Sequence, residues 1–296
     1  MKSPVVLFVY NRPWHTRQTL EALANNYLAD QSELYIYADG PKENSSEIEI
    51  ESIKKVRKII REKQWCKLVH IIESESNHGL AASIIRGVSE VNNKHKKVIV
   101  LEDDILTSPW FLSYMNEALD VYQHVSNVFS VSGYMFPIQT SKRGIVLLPF
   151  ISSWGWGTWK ERWEAFDWNL NQKEYIENNA FLKARFNLAD YNYTEMLKNA
   201  NSWAIRWYYS VFVRNGLTVF PTISLVKNIG FDGSGIHCPS NEIFLSQGIE
   251  MNKIEVEKVD RIDLEFYAKI LDFFTEEKKR SLKKDIKKIF YYILRK

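Results

Sequence analysis

Two periods alternate along the first hundred residues. Apolar, strand-like runs at Val5–Tyr10, Leu34–Ala38, Leu68–Ile72 and Val98–Leu101 are separated by longer stretches in which apolar residues recur every third or fourth position, at Thr16–Asn26, Glu47–Lys63 and Leu80–Asn93. The short runs predict strands covered on both faces, and the stretches between them predict the amphipathic helices that cover them. Such an alternation makes a mostly parallel central sheet with right-handed crossovers, an α/β fold. Ligands of these sheets gather beyond the carboxyl ends of the strands. Those ends read Asn11-Arg12, Asp39-Gly40-Pro41, Glu73 and Glu102-Asp103-Asp104, so polar groups stand where a ligand is expected.

Further on, Thr107-Ser108-Pro109 predicts a helix start, with Ser108 as N-cap and Pro109 at the first helical position, leading into Trp110–Tyr122. Val128–Ser132 reads as another strand. From Ile151 the texture turns to loops and helices rich in Trp and Gly, and no Pro- or Ser-rich linker intervenes. One domain over residues 1–275 is therefore expected, its character changing near residue 140. Residues 276–296 place Leu282, Ile286, Ile289, Phe290, Ile293 and Leu294 at helical spacing among lysines. This basic amphipathic helix reads either as a peripheral anchor on an anionic membrane or as a helix packed on the protein body.

Composition narrows the picture by exclusion. Of 296 residues, 45% are hydrophobic and 25% charged, which excludes global disorder. The net charge of +3 is concentrated in residues 276–296, and the remainder is slightly acidic, so the basic stripe of a nucleic-acid enzyme is missing. Only Cys66 and Cys238 occur, too few for a disulfide framework, so a reducing compartment is expected. The start MKSPVVLFVY runs straight into a strand with no leader, and no apolar stretch approaches the ~18 residues of a membrane span, so a cytoplasmic location is expected.

The strongest chemical signal is Glu102-Asp103-Asp104 at the end of an apolar strand. Three adjacent carboxylates repel one another, and a divalent metal such as Mn²⁺ or Mg²⁺ relieves the repulsion while bridging to substrate phosphates. A nucleoside diphosphate leaving group suits that arrangement. The plainer alternative is a solvated turn with helix-capping acids.

The acidic triplet resembles the DXD-type motif of GT-A fold glycosyltransferases, a Rossmann-like nucleotide-diphospho-sugar transferase fold. More narrowly, an ordered series of motifs over residues 4–240 resembles N-acetylglucosaminyltransferase I and its bacterial relatives. The series is Val9-Tyr10-Asn11-Arg12, Ala38-Asp39-Gly40, Leu101–Asp104, Ser153-Trp154-Gly155-Trp156-Gly157, Phe220–Ser224, and the Gly-rich stretch from Asn228 to His237. The resemblance implies a nucleotide-sugar half over residues 1–139 and an acceptor half over 140–275. It implies that Asp104 binds the metal, with His237 completing the metal site, and that Glu102 and Asp103 face the ribose or donor sugar. By the same resemblance Arg12 meets the diphosphate and Asp39 the base of a UDP-sugar; read from the residues themselves, Asn77-His78-Gly79 precedes a helix whose start can face a phosphate, with Arg86 on that helix placed to reach the diphosphate and His78 the base. Trp154 and Trp156 stack on sugar rings.

An inverting transfer also needs a general base for the acceptor hydroxyl. The resemblance breaks here: where an aspartate stands between tryptophans in the family, this chain reads Ser202-Trp203-Ala204-Ile205-Arg206-Trp207. Asp232 and Glu161 remain as candidates, Asp232 first. The implied activity is transfer of a sugar, N-acetylglucosamine by resemblance, to a saccharide or lipid-linked acceptor in bacterial surface glycan synthesis. The basic tail suits work at the inner membrane face. Sugar nucleotidyl transfer and a non-catalytic carbohydrate-binding role are the alternatives.

Overall fold

The structure is a computed structural model that describes residues 2–198, 201–233 and 242–276. Strand β1 (Val5–Val9) pairs in parallel with β2 (Glu33–Ala38) on one side and β4 (Lys97–Glu102) on the other, and β3 (Leu68–Glu73) extends the sheet beyond β2. Past β4 the same sheet continues through β8 (Trp156–Trp159), β6 (Val128–Ser132), β9 (Leu217–Pro221) and β7 (Ile145–Leu148). Only β8 and β7 run against the others. A separate antiparallel ribbon, β5 (Ile105–Thr107) with β10 (Val226–Asn228), sits beside the end of β4.

The alternation within β1 divides the core in two. Val5, Leu7 and Val9 face a layer built with α1 (Pro13–Ala24), α2 (Glu47–Ile59) and α4 (Phe111–Val121), while Val6 and Phe8 face α3 (Leu80–His95) and α5 (Trp203–Phe212). A strand buried on both faces has no polar position, which is why this run is unbroken. Helix α2 starts at a reciprocal capping box between Ser46 and Glu49, satisfying two N–H groups that its first turn leaves open. A last helix, residues 264–276, buries Phe266, Ile270 and Phe274 at four-residue spacing in the second layer.

Two local expectations change. Helix α4 begins at Phe111 with Trp110 as N-cap, and Ser108 stands before it, its hydroxyl accepting from the Trp110 N–H at 3.1 Å. The Ser108 N–H donates to the Leu225 carbonyl at 2.8 Å, which ties residue 108 to the ribbon, and the helix starts after the turn that follows. The second change concerns the tryptophans. Trp156, Trp163, Trp203 and Trp207 form one block between the sheet and α5, with Trp156 and Trp203 stacked at 5.4 Å. All four are 5% exposed or less, so the Trp203–Trp207 stretch is core.

Truncating Trp207 to Ala should cost about 3–5 kcal/mol, because the neighbouring rings cannot collapse into the space of an indole. Urea unfolding checks this, and a loss under about 1 kcal/mol would show that the block does not act as a unit.

Candidate active site

Strands β1 and β4 are neighbours, yet their connections leave in opposite directions: β1 leads through α1 to β2 on one side, and α3 returns across to β4 on the other. The crevice between their carboxyl ends is the switch point at which open sheets bind ligands. Arg12 enters it from the end of β1 and the acidic triplet from the end of β4. The Arg12 Nε donates to Asp103 Oδ2 at 3.3 Å, and Nη2 donates both to Asp103 Oδ1 and to Asp104 Oδ2, the latter at 2.9 Å. Both aspartates are buried, and about a fifth of the Arg12 side chain remains exposed.

One guanidinium does not balance three carboxylates. Burial, then the charges of Asp104 and Asp103, push the half-buried Glu102 up to about 8 against the opposing pull of Arg12. Burial likewise raises Asp103 to about 6, although Arg12 pulls it down. The donor set is hard oxygen with surplus negative charge, which fits a divalent cation. Among the described residues, no three His, Cys, Asp or Glu side chains are grouped to hold an ion by themselves.

The β5–β10 ribbon carries a second wall to this crevice. The Ile229 N–H donates to the Asp104 carbonyl at 2.9 Å, and Gly230 follows directly over the ion pair. A Cβ on Gly230 would stand 2.3 Å from Asp104 Oδ2 and 3.1 Å from Arg12 Nη1, so close approach of this backbone requires glycine. The turn ends at Asp232, whose Oδ2 lies 3.1 Å from Nε2 of buried His15, one helical turn after Arg12. Trp154, half-buried, meets Tyr134, Phe231 and Phe244 edge to face at 4.4–5.6 Å. Gly155, at φ +60°, makes the bend that joins Trp154 to β8.

The fold thus brings together Arg12, Glu102, Asp103, Asp104 and Asp232, with Trp154 beside them. Other assignments move. Trp156, assigned to a sugar ring, is 1% exposed inside the tryptophan block, because pairing with Val100 and Ser132 turns its side chain toward α5. Glu161, the second candidate base, is exposed just after Trp159, which pairs with Lys97 at the opposite end of β4 from the triplet. Reversal of β8 carries it a strand length away. Asp39, assigned to the base, accepts from the N–H groups of Gly40, His78 and Gly79 at 2.9 Å each and from Asn77 Nδ2 at 3.0 Å. Its carboxylate thereby organises the loop ahead of α3. Arg86 lies over the Tyr37 ring of β2 at 5.5 Å and reaches toward Ser74, just after β3, and toward Glu90 on its own helix. His237 lies outside the described residues. A groove of about 470 Å³ along the outer strands and α3, lined by Tyr35, Tyr37, His70 and Lys94 among others, includes none of these candidates.

Sequence reasoning misses His15. Its signal is the spacing Arg12 to His15, which places both on one face of a helix.

A family model described as glycosyl transferase family 2 matches residues 5–185. No curated protein matches the chain. Among solved structures, TarS residues 1–349 from S. aureus is 14% identical, with 75% of this chain and 57% of that one covered at a TM-score of 0.39. In another TarS structure the chain covers 35% of the length. UDP-glucose pyrophosphorylase complexed with UDP-glucose is 11% identical over 74% of this chain and 90% of that one, with a TM-score of 0.38. Glucosyl-3-phosphoglycerate synthase from Mycobacterium tuberculosis, in complex with Mn²⁺, UDP and phosphoglyceric acid, is 11% identical over 54% and 56%, with a TM-score of 0.32. The family match spans more than half of the chain and takes in both Arg12 and the acidic triplet, so the protein belongs to glycosyl transferase family 2, with the GT-A fold.

Proposed function

We propose that the chain is a metal-dependent, inverting transferase that moves a sugar from a UDP-sugar to a saccharide acceptor. The observation that carries this reading is the surplus of carboxylate over guanidinium charge at the β1–β4 crevice. Asp104 would hold Mn²⁺ or Mg²⁺, with His237 as a further ligand. Bound there, the ion neutralises charge that develops on the leaving diphosphate. Glu102 and Asp103 face the ribose or donor sugar, Arg12 meets the diphosphate with Arg86 as a more distant cation, and the loop organised by Asp39 meets the base.

Asp232 is the proposed base. It takes the proton of the acceptor hydroxyl as that oxygen bonds to the anomeric carbon and the bond to the diphosphate oxygen breaks, its electron pair leaving with UDP. Its position beside Gly230 and its half-exposed carboxyl support this role, and half-buried Trp154 offers an aromatic wall for a sugar. Residues 1–139 form the donor half and 140–275 the acceptor half. By resemblance the sugar is N-acetylglucosamine and the acceptor a bacterial surface glycan or lipid-linked saccharide, met at the inner membrane face with the help of residues 276–296. No helix among the described residues is long and apolar enough to cross a membrane.

Thermal shift against nucleoside diphosphates and nucleotide sugars tests the donor side, since a ligand bound by the native state alone raises its melting temperature. UDP should stabilise the protein in the presence of Mn²⁺ and not in EDTA, and Asp104→Ala should abolish the shift; a metal-independent shift overturns the metal assignment. Asp232→Asn should leave that shift intact and lower turnover of the stabilising UDP-sugar about 10²–10⁴-fold. Loss of binding together with turnover would instead make Asp232 a structural residue.

A pH effect follows from Glu102. A carboxyl whose folded pKa of about 8 exceeds its ordinary 4.5 keeps a proton that the unfolded chain releases, so stability without metal falls as pH rises between those values. Denaturation in EDTA at pH about 5.5 and about 8 should show a smaller difference in Glu102→Gln than in the unaltered protein.

A further inference from the structure

Arg12 occupies the carboxylate oxygens that a cation at this site would use. Its Nη2 is 2.9 Å from Asp104 Oδ2 and also bonded to Asp103 Oδ1, while Nε holds Asp103 Oδ2. From above, the Gly230 backbone closes the space over both Asp104 Oδ2 and Arg12 Nη1. A metal–oxygen bond of about 2.1 Å would put a divalent ion on Asp104 against the guanidinium, like charge to like. An ion arriving alone would have to displace Arg12 from Asp104.

We infer that Arg12 is an internal counter-cation that suppresses metal binding until a nucleoside diphosphate arrives, so that metal and nucleotide bind as a coupled pair. The inference rests on the metal-dependent reading above. A diphosphate supplies both missing parts: oxygen ligands that complete the ion's coordination, and an acceptor that matches the fork of guanidinium donors. Arg12 would exchange Asp104 for a phosphate oxygen, which would free the Asp104 carboxylate to hold the ion. The backbone need not move for this, because the Arg12 carbonyl is fixed by the Thr16 N–H at 3.0 Å and the Thr16 hydroxyl at 2.9 Å in the first turn of α1. Only the side chain turns. Arg12 is thus a positioning residue that sets the order of assembly, and linkage requires that UDP and the ion strengthen each other's binding by the same factor.

The test is a Mn²⁺ titration followed by electron paramagnetic resonance, on the unaltered protein and on Arg12→Met, each with and without UDP. In the unaltered protein, UDP should tighten Mn²⁺ binding by about tenfold or more. Without UDP, Arg12→Met should bind Mn²⁺ at least about tenfold tighter than the unaltered protein, and its coupling to UDP should shrink toward one. Equal Mn²⁺ affinity in the two proteins, or in the unaltered protein with and without UDP, overturns the inference. Should Arg12→Met fail to fold, the two titrations of the unaltered protein still decide. Mn²⁺-dependent UDP binding together with strong binding of Mn²⁺ alone would overturn the role of Arg12 and leave the metal-dependent reading standing. UDP binding that ignores Mn²⁺ would remove both.

Discussion

A part-buried guanidinium held against two buried, adjacent aspartates ties the end of β1 to the end of β4. Charges of this kind are costly to take out of water, and their mutual attraction offsets the cost only where the geometry is close and the remaining donors and acceptors are satisfied. The surrounding structure meets that condition from several sides. Thr19 donates to the Asp103 carbonyl at 2.8 Å, the Ile229 N–H caps the Asp104 carbonyl, and Asn228 Oδ1 accepts from the Gly230 N–H at 2.7 Å. Parallel strands hold both ends in register, and the ribbon lowers a glycine over them. Charge surplus, close backbone approach and the placing of Asp232 all follow from this one bridge.

The tryptophan block on the other face of the sheet gives the crevice a stiff support. Trp156 lies in β8 beside Val100 of β4, two residues before Glu102. Stacked rings beneath a strand end leave little freedom for the residues just beyond it, because close-packed interiors transmit displacement rather than absorb it. The aromatic richness of the chain therefore serves rigidity near the site more than direct contact with sugar. Trp154 alone of the pair around Gly155 stands at the crevice.

Periodicity made β1 to β4 and the helices among them legible, since each is a continuous segment whose burial pattern is local. The strand ends then pointed to Arg12 and the acidic triplet. The ribbon was not legible: β5 and β10 are three residues each, and they exist because they pair with one another across more than a hundred residues. The fate of Trp156 and Glu161 was hidden for the same reason, since the reversal of β8 is a property of its partners and leaves no mark in WGTW itself. Asp39 shows a different limit. An acid before Gly40-Pro41 reads by itself as turn-forming and only by resemblance as ligand-facing, and the convergence of Asn77, His78 and Gly79 shows which groups it holds.

The ribbon also divides the chain into lengths that can vary and lengths that cannot. Between Asp104 and β5 there is no spacer, and between β10 and Gly230 there is one residue. A single inserted residue in either place would turn the alternating side chains of the ribbon over and carry Gly230 off the ion pair. The later part of the connection from β6 to β7 has no such constraint, because residues 139–143 lie outside any strand or helix and are mostly exposed. In relatives that keep this site, length changes should gather in such connections while the two short joints keep their count, a signature readable from sequence length alone.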